Sequence, residues 1–181
     1  MEIVLTINGK EKKAEVLGAE TLLNLLRRLG YKSVKFGCGE GACGVCTVLM
    51  DGLPVSSCLV LAVTADGREI VTVDDLGTTE KPHPLQQTFV ECGAIQCGYC
   101  TPGMILAAKA LLDRNASPSE DEIKEALDGN LCRCTGYVQI IEAVQLAARR
   151  LRAKKKKPAA KKKTVSKKKP AVKKKKTTSK K

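Results

Sequence analysis

The stretch "FGCGEGACGVC", residues 36–46, packs three cysteines and four glycines into one short run. Glycine at this density does not fill the inside of a helix or strand. The run is a loop, and the elements around it set the fold. Upstream, "EIVLTINGKEKKAEV" alternates Ile3, Leu5 and Ile7 on one face, breaks at Asn8-Gly9 and resumes with Ala14 and Val16, which predicts a β-hairpin. "ETLLNLLRRLG" then repeats Leu22, Leu25, Leu26 and Leu29 at helical spacing, with Thr21 placed to cap the start and Gly30 to end it. Downstream, "TVLMDGLPVSSC" reads as strand, Asp-Gly turn and strand, and "REIVTVDDL" as one more strand. Hairpin, helix, cysteine loop and further strands within residues 1–76 predict a β-grasp domain, a mixed sheet crossed by one helix.

From Pro82 the strand signals stop. "HPLQQTFVE" predicts a short helix, and "TPGMILAAKALLDRN" places Met104, Ala108, Leu111 and Leu112 on one helical face. "SPSEDEIKEALDGN" predicts a third helix with Ser117 as N-cap, Pro118 at the first position and Glu120 closing a capping box. "GYVQIIEAVQLAARRLR" puts Tyr137, Ile140, Ile141, Val144, Ala148 and Leu151 on the stripe of a fourth, starting near Gly136. Residues 77–153 therefore read as a small four-helix bundle joined to the first domain by the polar segment 77–81. The whole is α+β.

Residues 154–181 hold 16 lysines and no acidic residue, in blocks broken by Pro, Ala, Thr, Ser and Val. This composition predicts a disordered Lys-rich tail that binds polyanions without sequence preference. The formal charge of the chain is +13, but without the tail 16 basic residues face 19 acidic ones. The folded part is mildly acidic, which excludes a basic nucleic-acid-binding core. The start "MEIVLTING" reads as a strand and not as a secretory signal, and no apolar run is long enough for a transmembrane segment. A cytoplasmic location is expected, where nine cysteines point to metal before disulfides.

Cys38, Cys43, Cys46 and Cys58 follow C-x4-C-x2-C-x11-C, and the first three match the plant-type [2Fe–2S] ferredoxin spacing. A cluster held by four thiolates is negatively charged and is best surrounded by backbone amides, which glycines let approach. Cys97, Cys100, Cys132 and Cys134 form a second group, C-x2-C and C-x-C, each pair at a helix boundary where amides also point outward. A zinc site remains an alternative on spacing alone. Cys92 fits neither group and reads as a buried structural thiol; His83, between two prolines, reads as a helix-start residue.

The motifs "GCGEGACGVCTV", "QCGYCTPGM" and "NLCRCTGY" resemble those of the small iron–sulfur subunit of the molybdenum hydroxylase (xanthine oxidase) family, over residues 2–152. That resemblance implies two [2Fe–2S] clusters, one on Cys38, Cys43, Cys46 and Cys58 and the other on Cys97, Cys100, Cys132 and Cys134. It implies electron transfer between a large molybdopterin subunit and a medium FAD subunit or other acceptor, with no substrate site on this chain. It also implies that Gln96 hydrogen-bonds the molybdopterin, that Cys134 lies at the pterin edge, and that Arg133 offsets cluster charge. The competing readings are a free-standing two-cluster ferredoxin and a zinc-binding nucleic-acid module.

Overall fold

A computed structural model describes residues 1–156. Strands β1 (Glu2–Ile7) and β2 (Lys10–Glu15) form the expected hairpin. Asn8 and Gly9 both take positive φ, 52° and 71°, as the two-residue turn matching strand twist requires. Helix α1 (Leu22–Arg28) starts where Thr21 Oγ1 accepts the Asn24 N–H at 3.2 Å. After the cysteine loop come β3 (Thr47–Met50) and β4 (Leu53–Ser56), joined at Asp51-Gly52, and then β5 (Glu69–Val71). The sheet order is β2-β1-β5-β3-β4; β1 and β5 run parallel and the other neighbours antiparallel. This is the arrangement expected of a β-grasp domain.

Ile3, Leu5 and Ile7 of β1, Val48 of β3 and Ile70 of β5 meet Leu22, Leu23, Leu25 and Leu26 of α1 in one core. Thr47, Val48 and Leu49 are buried in succession, so β3 is covered on both faces. The second cover is α3 (Thr101–Arg114), which lies against β3 and β4. Helices α2 (Pro84–Glu91), α3, α4 (Glu120–Leu127) and α5 (Val138–Lys156) surround a second core built from Leu85, Phe89, Met104, Leu111, Ile123, Leu127, Ile140 and Val144. His83 caps α2: its Nδ1 accepts the Leu85 N–H at 3.2 Å while Gln86 Oε1 accepts the His83 N–H at 2.7 Å. Burial, helped by the positive charge of Lys109, holds the imidazole below its usual pKa and so in the neutral form that this cap needs.

Three expectations are corrected. The N-cap of α4 is Ser119, not Ser117, and its box partner is Glu122, not Glu120. Asn115 Oδ1 takes the Ser117 N–H at 2.9 Å, so the chain makes an Asx turn first and the helix starts two residues later. Helix α5 begins at Val138, because Gly136 and Tyr137 both adopt left-handed backbone, φ 66° and 71°. It also runs to Lys156, past the boundary expected at 153, since Ala153 and the lysines after it are good helix formers. The rest of the Lys-rich tail, 157–181, lies outside the described residues.

Candidate metal centres

The first centre is built on the loop before β3. Gly39, Gly41 and Gly44 take φ of 78°, 82° and 65°, a conformation that turns successive amides inward. The Cys38 N–H points at Cys43 Sγ and the Glu40 N–H at Cys38 Sγ, each at 3.5 Å. Cys58 arrives on the segment after β4. That segment is fixed by Leu23 N–H on the Ser57 carbonyl (3.0 Å), Leu22 N–H on the Val60 carbonyl (2.7 Å) and Ser57 Oγ on the Cys46 carbonyl (2.7 Å). The start of α1 thus holds the segment of Cys58 against Cys46, the residue that leads into β3. The Glu40 amide, then the Cys43 thiol, bring Cys38 down to about 7. Burial, then the adjacent Cys46 thiol, push Cys58 up to about 11.

The second centre lies at one end of the helical half. Cys97 and Cys100 occupy the turn between α2 and α3, and Cys132 and Cys134 the turn between α4 and α5. Cys97 Sγ and Cys134 Sγ stand 3.6 Å apart. Burial, then the Cys132 thiol, push Cys100 up to about 12. Burial also acts to raise Cys132, but the Thr135 hydroxyl at 3.2 Å and the Thr135 and Cys134 amides outweigh it and leave that thiol below its usual value. The Cys132 N–H donates to the Tyr137 hydroxyl at 3.0 Å, which gives the left-handed Tyr137 its purpose.

The thiols therefore associate in pairs: Cys38 with Cys43, Cys46 with Cys58, Cys97 with Cys134, and Cys100 with Cys132. Among the described residues no three His, Cys, Asp or Glu side chains close on one point as a single-ion site does. Two pairs side by side suit a binuclear cluster, in which each iron takes two thiolates. The split between a low and a raised thiol within each centre matches amide donors at one pair member and burial at another.

Gln96, Cys97, Arg133 and Cys134 are all exposed, so the second centre opens to the surface. Cys92 is half-buried at the C-terminus of α2 and packs on the helical core, with burial raising its thiol. Several residues have supporting roles that escaped the sequence reading: Ser57, Thr135, Asn130, Tyr137, which the spacing puts on a helix stripe, and Tyr99, whose hydroxyl donates to the Phe36 carbonyl of the first centre's loop. All lie within three residues of a cysteine of the two groups, and that proximity was the available signal.

Comparison with known proteins agrees with this geometry. Residues 5–70 match the 2Fe-2S iron-sulfur cluster binding domain and residues 72–145 the [2Fe-2S] binding domain. The chain is thus a protein of two [2Fe–2S]-binding domains. It is 52% identical to the nicotinate dehydrogenase small FeS subunit of Eubacterium barkeri over 149 residues, which are 82% of this chain and 95% of that one. It is 46% identical to the xanthine dehydrogenase iron-sulfur-binding subunit of Escherichia coli O157:H7 over 147 residues, 78% of this chain and 91% of that one. A crystal structure of quinoline 2-oxidoreductase from Pseudomonas putida 86 superposes with a TM-score of 0.81 at 46% identity, covering 84% of this chain and 96% of that chain. The chain belongs to the family of iron–sulfur small subunits of the molybdenum hydroxylases.

Proposed function

We propose that this chain passes electrons between a large molybdopterin subunit and a medium FAD subunit or other acceptor of a cytoplasmic oxidoreductase, and does no substrate chemistry itself. Cys38, Cys43, Cys46 and Cys58 hold one [2Fe–2S] cluster, and Cys97, Cys100, Cys132 and Cys134 the other. The observation that carries this reading is the pairing of eight thiols in two separate centres, with backbone amides aimed at their sulfurs. Each cluster, when bound, supplies a one-electron carrier. The protein's part is to exclude water from one side, donate hydrogen bonds to the thiolates and leave the other side open. In this division the ferredoxin-like domain takes residues 1–76 and the four-helix domain starts at 77, its last helix running past the expected boundary at 153 to Lys156.

The open side of the second centre supports a contact with the large subunit. Gln96 and Cys134 are both exposed; in this reading they face the large subunit, Gln96 as a hydrogen-bond partner of the pterin and Cys134 as the thiolate nearest it. Substrate choice resides in the large subunit; relatives of this chain at 52% and 46% identity are named for nicotinate and for xanthine. Among the described residues no helix is long and apolar enough to cross a membrane.

The test is a visible and EPR spectrum of the purified complex with its iron content. Two distinguishable [2Fe–2S] signals are expected. Cys97→Ser is expected to remove the second signal and its iron, while Cys92→Ser leaves both intact. Stoichiometric zinc with no colour would overturn the reading.

The lysine tail adds a separate property. Its 16 lysines without a counter-charge bind polyanions through counterion release, so retention on a polyanion column is expected to fall by about 0.7–0.9 log units per log unit of salt for each phosphate-like contact. Ending the chain after Lys156 is expected to abolish that retention and to leave iron content and assembly unchanged. Failure of the shortened chain to assemble would instead make the tail a docking element.

A further inference from the structure

The two centres meet at a backbone junction. Gly44, between Cys43 and Cys46, is buried, and its carbonyl accepts from Asn130 Nδ2 (2.9 Å), Thr47 Oγ1 (2.7 Å) and the Thr47 N–H (3.1 Å). The Leu131 N–H donates to the Cys43 carbonyl at 3.0 Å. Cys132, of the other centre, is the next residue. From a third side comes Gly103, three residues after Cys100; a Cβ there would lie 3.0 Å from Asn130 Nδ2 and overlap the Gly44 carbonyl. Asn130 is only 6% exposed, and its amide also reaches Thr47 Oγ1 at 3.3 Å. So the loop that carries two cysteines of the first centre rests on the two segments that carry the cysteines of the second. Apart from the Asn130 and Thr47 side chains, the contact is backbone against backbone.

We propose that Asn130 is a positioning residue that couples the two centres, so that a cluster in one secures the cluster in the other. This rests on the two-cluster reading above. A filled second centre fixes residues 129–134 and the start of α3. Those segments present the Leu131 N–H, the Asn130 amide and the Gly103 backbone to the Cys43–Cys46 loop. In that loop Gly44 is left-handed, and the Cys43 and Gly44 carbonyls take donors from Leu131 and Asn130, so the loop's geometry depends on that frame. The dependence runs both ways, because a filled first centre fixes the carbonyls to which Asn130 and Leu131 donate. The mechanical result is a constant separation between the two electron carriers.

The experiment strips iron from the holo complex with a chelator and follows each cluster by its own EPR signal. Two wild-type signals are the starting condition, and their absence would overturn the two-cluster reading rather than this one. In Cys100→Ser, the first cluster is expected to strip about 5- to 150-fold faster than in wild type, the span of ordinary coupling energies. Cys46→Ser is expected to weaken the second cluster in the same way. Asn130→Asp keeps the shape but turns the donor on the Gly44 carbonyl into an acceptor. In that background the cross-effects are expected to vanish, a non-additivity that marks a coupled pair. Thr47→Val, which removes the hydroxyl from the same cluster of hydrogen bonds, reports the same loss if Asn130→Asp does not fold. An unchanged first cluster in Cys100→Ser overturns the proposal. So does a cross-effect that survives both junction variants; Asn130 would then serve its own loop and nothing more.

Discussion

Removing the iron is expected to collapse helices α2–α5 while β1–β5 and α1 stay folded. Both cores bury sixteen apolar residues, but three of the sixteen are alanine in the sheet half and six in the helical half. At about 0.8 kcal/mol per buried CH₂, each alanine in place of a leucine forgoes roughly 2 kcal/mol. Helices α2 and α4 have eight residues each, too short to persist without tertiary support. The turns that join α2 to α3 and α4 to α5 contain the four cysteines of the second centre, so the cluster ties the two helix pairs together at one end of this half. Metal binding is then folding free energy. The sheet half has a hairpin with a well-matched turn, a capped helix and a ladder from β2 to β4 to hold it without metal. Hydrogen exchange on the apo chain is the measurement. Protection is expected to be lost across residues 84–156 and kept in β1 and β3. Full protection of α3 and α5 in the apo chain would show that the alanine-rich core suffices.

Much of the fold was legible because local rules agreed with the global one. Asn8-Gly9 and Asp51-Gly52 announce two-residue turns, and the leucine spacing of α1 admits no strand. The cysteine spacing marked both centres. The start of α4 was misread because two serines flank Pro118 and both precede acidic residues at suitable offsets. The choice between them is made by the Asn115 side chain, which a linear pattern does not weigh. The start of α5 was missed for a similar reason: Tyr137 sits at positive φ, rare for a bulky residue, and is held there by its hydroxyl on the Cys132 amide. The junction between the centres was out of reach for a different cause. Asn130 and Gly44 are 86 positions apart, and each has an adequate local reading, one as a helix-end residue and the other as a loop glycine. Long-range partners of this kind leave no periodicity behind.

Gly44→Ala is expected to be the most damaging glycine substitution in the sheet half, and Gly52→Ala supplies its control. Both residues have positive φ, 65° and 80°. An L-residue held there costs roughly 1–2 kcal/mol at either site. Around Gly52 nothing lies within 4 Å of an added Cβ, so that cost stands alone. At Gly44 the same Cβ would overlap the Gly129 carbonyl and lie 2.7 Å from Asn130 Nδ2 and 2.9 Å from Asn130 Cα. Two of those three neighbours are backbone, so neither can rotate away. Overpacking of this kind adds about 1–3 kcal/mol. The total for Gly44→Ala is thus about 2–5 kcal/mol against about 1–2 for Gly52→Ala. Relief by separation would break the Cys43 carbonyl to Leu131 bond and draw the two centres apart, so cluster retention is expected to drop together with stability. Denaturant midpoints of the two holo variants, read beside their iron contents, decide the matter. Equal losses of stability with full iron in both would mean that Gly44 is required only for its backbone angle, and that the two halves do not press against each other at this point.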